Sequence, residues 1–159
     1  MQRTELKLNE IFLVGITVRT NNRNEENWMS GKIFPCVQKY FNEKLFEKIP
    51  NRKNPGRTFC VYTEYESDHT GPYTYFVGEE VTCESELLPD GLVSLTIPAQ
   101  TYAIFTTEPG VMPDVCIQEW IHIWNLKDED FGGKRTYIAD FELYDHRAID
   151  PEKTVLDIY

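Results

Sequence analysis

The stretch ADFELYD, residues 139–145, alternates apolar and polar side chains in the manner of a β-strand. Successive side chains of a strand point to opposite faces, so Phe141 and Leu143 share one face. The opposite face carries an acidic and aromatic set: Asp140, Glu142 and Tyr144. Such a face suits open solvent, and it equally suits a groove that holds a cationic compound. The alternation alone leaves both interpretations open.

Elements on both sides of this strand recur in the same order. The first half contains a β-branched strand, a helix whose apolar residues recur every three or four positions, and a hairpin. These elements are expected at residues 11–20, from Lys32, and at residues 58–66 and 73–81. The second half repeats strand, helix, strand and strand: residues 96–108, a helix starting near Pro113 or Asp114, and residues 133–145 and 153–159.

This order predicts an α+β fold of two pseudo-symmetric β-α-β-β units, at about residues 8–86 and 92–159 of a single domain, 1–159. The units are expected to form one antiparallel sheet with the two main helices on one face and a central ligand groove. We expect Phe141 and Leu143 to face the helices. Glu142 and Tyr144 would then line the groove on the opposite face.

Composition excludes several classes of function. The 26 Asp and Glu against 16 Lys and Arg give a formal charge of −10, which disfavours direct nucleic-acid binding. No apolar run approaches the ~20 residues of a membrane span, and no signal peptide is recognisable. The four cysteines form no CxxC pair, and the sequence has neither GxxxxGK[ST] nor GxGxxG. We therefore expect a cytoplasmic protein without a metal, a cofactor or a membrane partner.

Tyrosines give Glu142 a chemical context. On the neighbouring predicted strands, Tyr62 and Glu64 alternate in CVYTEYE, and Tyr73 and Tyr75 alternate in YTYFV. A carboxylate among aromatic rings is costly to bury without a partner, and a lipophilic cation would supply the missing charge. Each aromatic face would add ~0.5–2 kcal/mol of cation–π attraction. Which members of each set face the groove stays open at this point.

Four segments in sequence resemble the GyrI-like family, the effector-binding domain also attached to AraC-type and MerR-type regulators. They are VYTEYESDHTGPYTYFVGEEV (61–81), GLVSLTIPAQTYAIFTTEPG (91–110), IQEWIHIW (117–124) and ADFELYD. The resemblance implies the two-unit fold and multidrug binding, with Glu142 as the groove glutamate. It further implies that Tyr75, Trp120 and Tyr144 are groove aromatics.

The chain begins at the effector domain, with no helix-turn-helix ahead of it, so it resembles stand-alone members. The first hypothesis is a small-molecule-binding protein, a sensor or a sequestering protein, that holds bulky cationic or aromatic compounds against Glu142. The second is a hydrolase that uses Glu142 as general acid or base. The third is a protein-interaction module that acts on gyrase or on a transcription regulator. Either a monomer or a homodimer is compatible with the sequence.

Overall fold

A computed structural model describes residues 2–85 and 87–159 of the chain. Eight strands are present: β1 (Gln2–Leu8), β2 (Ile11–Thr20), β3 (Thr58–Thr63), β4 (Tyr73–Glu80), β5 (Val93–Ile97), β6 (Gln100–Thr106), β7 (Ala139–Tyr144) and β8 (Asp157–Ile158). Four α-helices accompany them: α1 (Asn22–Glu25), α2 (Ile33–Asn42), α3 (Asp114–Trp124) and α4 (Asp128–Phe131). Short 3₁₀ turns lie at Leu45–Lys48 and His146–Ala148. None of the described helices is long and apolar enough to cross a membrane.

The eight strands form one antiparallel sheet in the order β1-β6-β8-β7-β3-β4-β2-β5. Its centre is the pair β7–β3, where Glu142 lies opposite Cys60 and Phe141 lies opposite Val61. Going outward from this pair, β8 and β6 on one side mirror β4 and β2 on the other. The first strand of each half pairs with a strand of the other half: β1 pairs with β6, and β5 pairs with β2. The predicted α+β class and antiparallel sheet are thus confirmed.

The two longer helices cover one face of this sheet, as predicted. Helix α2 begins where the Glu25 carboxylate accepts hydrogen bonds from the backbone N–H groups of Lys32 and Ile33. It buries Cys36 and Tyr40, and α3 buries Cys116, Trp120 and Ile123 in the other half. The two helices carry a related sequence, CVQKY at residues 36–40 and CIQEW at residues 116–120. Tyr40 and Trp120 therefore occupy corresponding places on the two helices.

The opposite face is covered by the sheet itself. Its buried cluster consists of strand residues: Leu13, Phe59, Val61, Phe76, Ile97, Tyr102, Ile104, Ala139, Phe141 and Leu143. Side chains from the outer strands thus meet those of the central strands, so the sheet is strongly curled. The prediction that Phe141 and Leu143 face the helices is wrong. They pack into this inner cluster, and Glu142 and Tyr144 lie on the helix-bearing face.

Several element boundaries differ from the predicted ones, and one strand was not predicted. Strand β3 ends at Thr63 instead of residue 66, β7 begins at Ala139 instead of residue 133, and β8 is limited to Asp157–Ile158. Residues 96–108, expected as one strand, are divided between β5 and β6, which Pro98 and Ala99 separate. Proline restricts the backbone dihedrals of the residue before it and donates no ladder hydrogen bond, so a strand turns readily at that point. Strand β1, which the sequence analysis did not predict, adds to the edge of the second half along β6.

Candidate functional site

Glu142 lies near the centre of the sheet on the helix-bearing face. Strand β7 places it between Cys60 of β3 and Ile158 of β8, and its residue is 2% exposed. Helix α3 crosses above it. A carboxylate in this position is removed from bulk water and depends on the protein for its hydrogen bonds.

Three aromatic side chains donate hydrogen bonds to the Glu142 carboxylate. The Tyr62 hydroxyl and the Trp120 indole N–H donate to Oε1 at 2.7 and 2.6 Å. The Tyr144 hydroxyl donates to Oε2 at 2.7 Å. The donors come from β3, α3 and β7, so the folding of all three elements builds this cage.

Among the described residues, Glu142 has no positively charged partner. Within residues 2–85 and 87–159, no Lys, Arg or His forms an ion pair with its carboxylate. All three described hydrogen-bond donors are uncharged. Burial, followed by the charge of Glu142, raises the pKa of Tyr62 and of Tyr144 well above the usual value. Both phenols therefore keep their protons and stay hydrogen-bond donors.

The fifth residue of the predicted set, Tyr75, lies in the same cluster without bonding the carboxylate. Its ring is 5.4 Å from that of Tyr62 in an edge-on arrangement. The structure thus brings Glu142, Tyr62, Tyr144, Trp120 and Tyr75 together on one face. Cys116 is a further neighbour, because its Sγ lies 3.8 Å from the Tyr144 hydroxyl.

The aromatic lining continues beyond the predicted residues. From Tyr62, ring contacts lead to Trp120 at 5.1 Å, then to Trp124 at 6.3 Å, and on to His69, stacked on Trp124 at 5.3 Å. Tyr73 lies 5.4 Å from Tyr62 on the other side. The sequence analysis did not assign Tyr73 or His69 to the site. Tyr73 shares the alternation of Tyr75, which could have revealed it, whereas the loop position of His69 gave no such indication.

A second acidic group and a cavity adjoin this cluster. Asp140, also on β7, accepts hydrogen bonds from Tyr65 and Arg135. A cavity of about 330 Å³ lies beside it, with walls that include Asp140, Arg135, Trp120, Phe131 and Tyr102. Trp120 therefore has the Glu142 carboxylate at its indole nitrogen and also forms part of the cavity wall.

The described side chains offer no metal centre. Across residues 2–85 and 87–159, no group of three or more His, Cys, Asp and Glu side chains could hold a metal ion. The central feature of the site is a buried carboxylate surrounded by aromatic rings. Such a site is suited to recognising an organic cation by charge and by cation–π contact.

Comparison with known proteins identifies the family of this chain. The model of the family "Cass2: Integron-associated effector binding protein" matches residues 6–159, nearly the whole chain. The protein described as "Putative transcriptional regulator protein YobU" of Bacillus subtilis strain 168 is 31% identical over 145 residues, which cover 91% of this chain and 88% of YobU. The chain belongs to the integron-associated effector-binding proteins.

Solved structures share the fold over the full length. The integron cassette protein VCH_CASS2 from the mobile metagenome of Vibrio cholerae is 29% identical, with a TM-score of 0.72, covering 98% of this chain and 94% of its own. SAV2435, solved bound to tetraphenylphosphonium, is 19% identical, with a TM-score of 0.74, covering 99% of this chain and 92% of its own. At that identity SAV2435 shows the common fold only.

Proposed function

We propose that this protein binds bulky lipophilic cations as a sensor or sequestering protein of the GyrI-like type. Glu142 is the counter-charge, and Tyr62, Tyr75, Tyr144 and Trp120 form the aromatic contacts of the ligand. The protein returns the compound unchanged and acts in transcription regulation by holding it or by contacting a partner protein.

The observation that carries this proposal is a buried carboxylate with neutral donors and no cation. Burial of an ion costs several kcal/mol even after relaxation, and neutral hydrogen bonds offset only part of that cost. A cationic ligand would supply the positive charge that no described residue places beside the Glu142 carboxylate. The surrounding rings would add attraction to a cation that a neutral compound of the same shape does not receive.

Access to the carboxylate requires one of its aromatic donors to move. Glu142 is 2% exposed, and three donors occupy its two oxygens. Trp120 is the donor best placed to move, because it forms part of the wall of the 330 Å³ cavity. Rotation of its indole would open a path from the cavity to Glu142. A bulky ligand would then occupy space that the indole and the cavity provide together.

The comparisons support this proposal at the level of the family. The matching family model describes effector-binding proteins, and a protein of the same fold was solved with a lipophilic cation, tetraphenylphosphonium. The name of YobU supports a link to transcription regulation. The finer assignment, a cation held against Glu142 in this chain, rests on the geometry of the cage.

The test is a calorimetric titration with tetraphenylphosphonium and with tetraphenylborate, an anion of nearly the same shape. The wild type is expected to bind the cation saturably and not the anion. Glu142→Gln keeps the side-chain shape and removes the charge, and it should weaken cation binding by at least about tenfold. Mass analysis of the recovered cation should find it unchanged, whereas conversion would favour the hydrolase hypothesis.

Glu79→Gln is the matched control, because Glu79 is equally buried but lies near Arg52. This variant should bind tetraphenylphosphonium like the wild type. Equal affinity for the two tetraphenyl ions, or an unchanged affinity in Glu142→Gln, would overturn the proposal.

A further inference from the structure

A second carboxylate lies beside Glu142 on the same face of β7. Asp140 precedes Glu142 by two residues, and a strand rises about 3.3 Å per residue, so the two backbone positions are about 7 Å apart. Asp140 accepts a hydrogen bond from the Tyr65 hydroxyl at 2.7 Å and pairs with Arg135 Nη2 at 2.8 Å. Unlike Glu142, it thus has a cation, and that cation comes from the protein itself.

Arg135 lies in a setting that resembles an organic-cation site. Its guanidinium carbon is 4.3 Å from the centre of the Tyr137 ring and 5.9 Å from that of Phe131. The same guanidinium pairs with Asp140. A carboxylate together with aromatic faces is the combination that recognises quaternary and aromatic cations. Arg135 therefore occupies the place that the charged end of such a ligand would take.

The cavity links this place to the Glu142 cage. Its wall includes Asp140 and Arg135 and also Trp120, the donor to Glu142. A compound in the cavity would meet Asp140 directly once Arg135 withdrew. The same compound would reach Glu142 once the Trp120 indole rotated. Both carboxylates are thus accessible from a single space.

The segment that carries Arg135 is held mainly by side chains. It follows Gly132 and Gly133 and has no regular structure before β7 begins. Within residues 2–85 and 87–159, no backbone-to-backbone hydrogen bond involves residues 134–137. The hydroxyl of Thr136 does contact Gln100 Oε1, at 3.1 Å. Withdrawal of Arg135 therefore breaks its ion pair and ring contacts while leaving the strands intact.

We propose that Asp140 is a second cation subsite, filled by Arg135 in the ligand-free protein, and that the cavity accepts aromatic dications. One charge of the ligand pairs with Glu142 and the other pairs with Asp140, from which Arg135 is displaced. This inference rests on the proposed function, because one end of the dication uses Glu142. Arg135 thereby sets the preference between compounds with one and two charges.

The experiment compares two probes of nearly equal shape, the dication methyl viologen and the monocation N-methyl-4-phenylpyridinium. Affinities are measured by calorimetry for the wild type, Glu142→Gln, Arg135→Gln, Asp140→Asn and the double variant of Arg135→Gln with Asp140→Asn. Arg135→Gln should tighten methyl viologen binding by about tenfold, because Asp140 then keeps the Tyr65 hydrogen bond but lacks a cationic partner. Binding of the monocation should change by less than about threefold. The double variant should not show this gain in methyl viologen affinity, because the second positive charge of the ligand then has no carboxylate to pair with.

Lys53→Gln is the charge control, since it changes the net charge by the same amount. Lys53 pairs with Glu80 in the other half of the sheet and is half exposed. It should leave the ratio of the two affinities unchanged. Where Arg135→Gln does not fold, Arg135→Lys serves instead. It keeps the charge but loses the planar group over Tyr137, and a smaller gain in the same direction is expected.

The outcomes separate this inference from the proposed function. Monocation binding that depends on Glu142, combined with equal gains for both probes in Arg135→Gln, would overturn the second subsite only. A methyl viologen gain that persists in the double variant would do the same. If neither probe binds to any variant, or if Glu142→Gln binds the monocation as tightly as the wild type, the proposed function fails.

Discussion

Glu142 and Glu79 are two buried glutamates in opposite halves of the molecule, and the partners of their carboxylates differ. Each is 2% exposed and lies on the helix-bearing face of the sheet. Each also lies near the aromatic residue of the repeated helix sequence, Trp120 above Glu142 and Tyr40 near Glu79. Glu142 on β7 and Glu79 on β4 are thus two carboxylates buried on the same face, each near the aromatic residue of one of the two helices.

Their partners differ. Glu79 Oε2 lies 3.4 Å from Arg52 Nη1 and 3.4 Å from the backbone nitrogen of Gly56. Burial raises the pKa of Glu79, while Gly56 and Arg52 act against that rise. Glu142 has three aromatic donors and no described ion pair. Glu79 therefore has a cation of the protein beside it and serves the structure, whereas Glu142 has no described ion pair and is the carboxylate that we propose for a cationic ligand.

The largest effect on stability is expected from Arg52→Leu. It leaves Glu79 buried without its cation, and the free energy of unfolding should fall by about 2–3 kcal/mol. The value lies below that of a fully buried pair because the Arg52 side chain is 25% exposed and water relieves part of the loss. Urea denaturation measures the change.

Lys53→Leu provides the matched control for that variant. Lys53 pairs with Glu80 at 3.5 Å, but its side chain is 55% exposed. An exposed pair contributes little, so the loss should stay below about 1 kcal/mol. Equal losses in the two variants would mean that Arg52 is not the stabilising cation of Glu79, and the contrast with Glu142 would then disappear.

A smaller effect, with opposite signs for stability and binding, is expected from Tyr62→Phe. It removes one hydrogen bond from the buried Glu142 carboxylate, which should lower the free energy of unfolding by about 1.5 kcal/mol. A bound cation compensates the carboxylate, so the ligand-free state loses more than the complex does. Affinity for tetraphenylphosphonium should therefore rise by up to about threefold, as calorimetry can measure.

Tyr73→Phe controls for the loss of a hydroxyl in the same ring cluster. The Tyr73 hydroxyl donates to Asn22 Oδ1 at 2.8 Å, an uncharged acceptor. The variant should lose about 1 kcal/mol of stability without any change in cation affinity. If Tyr62→Phe instead bound tetraphenylphosphonium more weakly than the wild type, the Tyr62 hydroxyl would be a contact of the bound ligand. It would then not serve only as a hydrogen-bond donor to Glu142 in the ligand-free protein.

The smallest effect concerns the outer end of the aromatic lining. Burial, followed by the charge of Arg135, lowers the pKa of His69, with Asp68 acting in the opposite direction. The unfolded chain therefore binds more protons at this residue below about pH 6.5, so the free energy of unfolding should decrease as the pH falls from there. When denaturation is measured between about pH 7.5 and 5.5, the free energy of unfolding should decrease less for His69→Gln than for the wild type. Identical pH profiles for the two proteins would contradict this assignment.

Much of the site followed from local pattern and resemblance. Alternation in β7 placed Glu142 and Tyr144 on one face. Alternation in β3 and β4 made Tyr62 and Tyr75 candidates without deciding which tyrosines face the site, and the resemblance added Tyr75. Helical spacing put Trp120 on the buried side of α3. All five lie together in the structure, and their role as ligand contacts stays a prediction.

Other parts of the site could not be predicted in this way. Arg135 reaches Asp140 from an irregular segment, and no periodicity governs where such a side chain points. Likewise His69 meets Trp124 only because the loop between β3 and β4 comes close to α3 in the folded chain. Contacts of this kind depend on how separate elements pack against one another.

The sequence by itself determined the class of fold, the positions of the main helices and the sharing of a face by Glu142 and Tyr144. These features depend on the periods of strands and helices, which each segment expresses locally. The tertiary structure alone decided which face the helices cover. The sheet curls until Phe141 and Leu143 meet side chains from distant strands, so its apolar inner face needs no helix. The helices then pack over Glu142, because alternation fixes only the relative direction of neighbouring side chains, while long-range packing selects the layer each face meets.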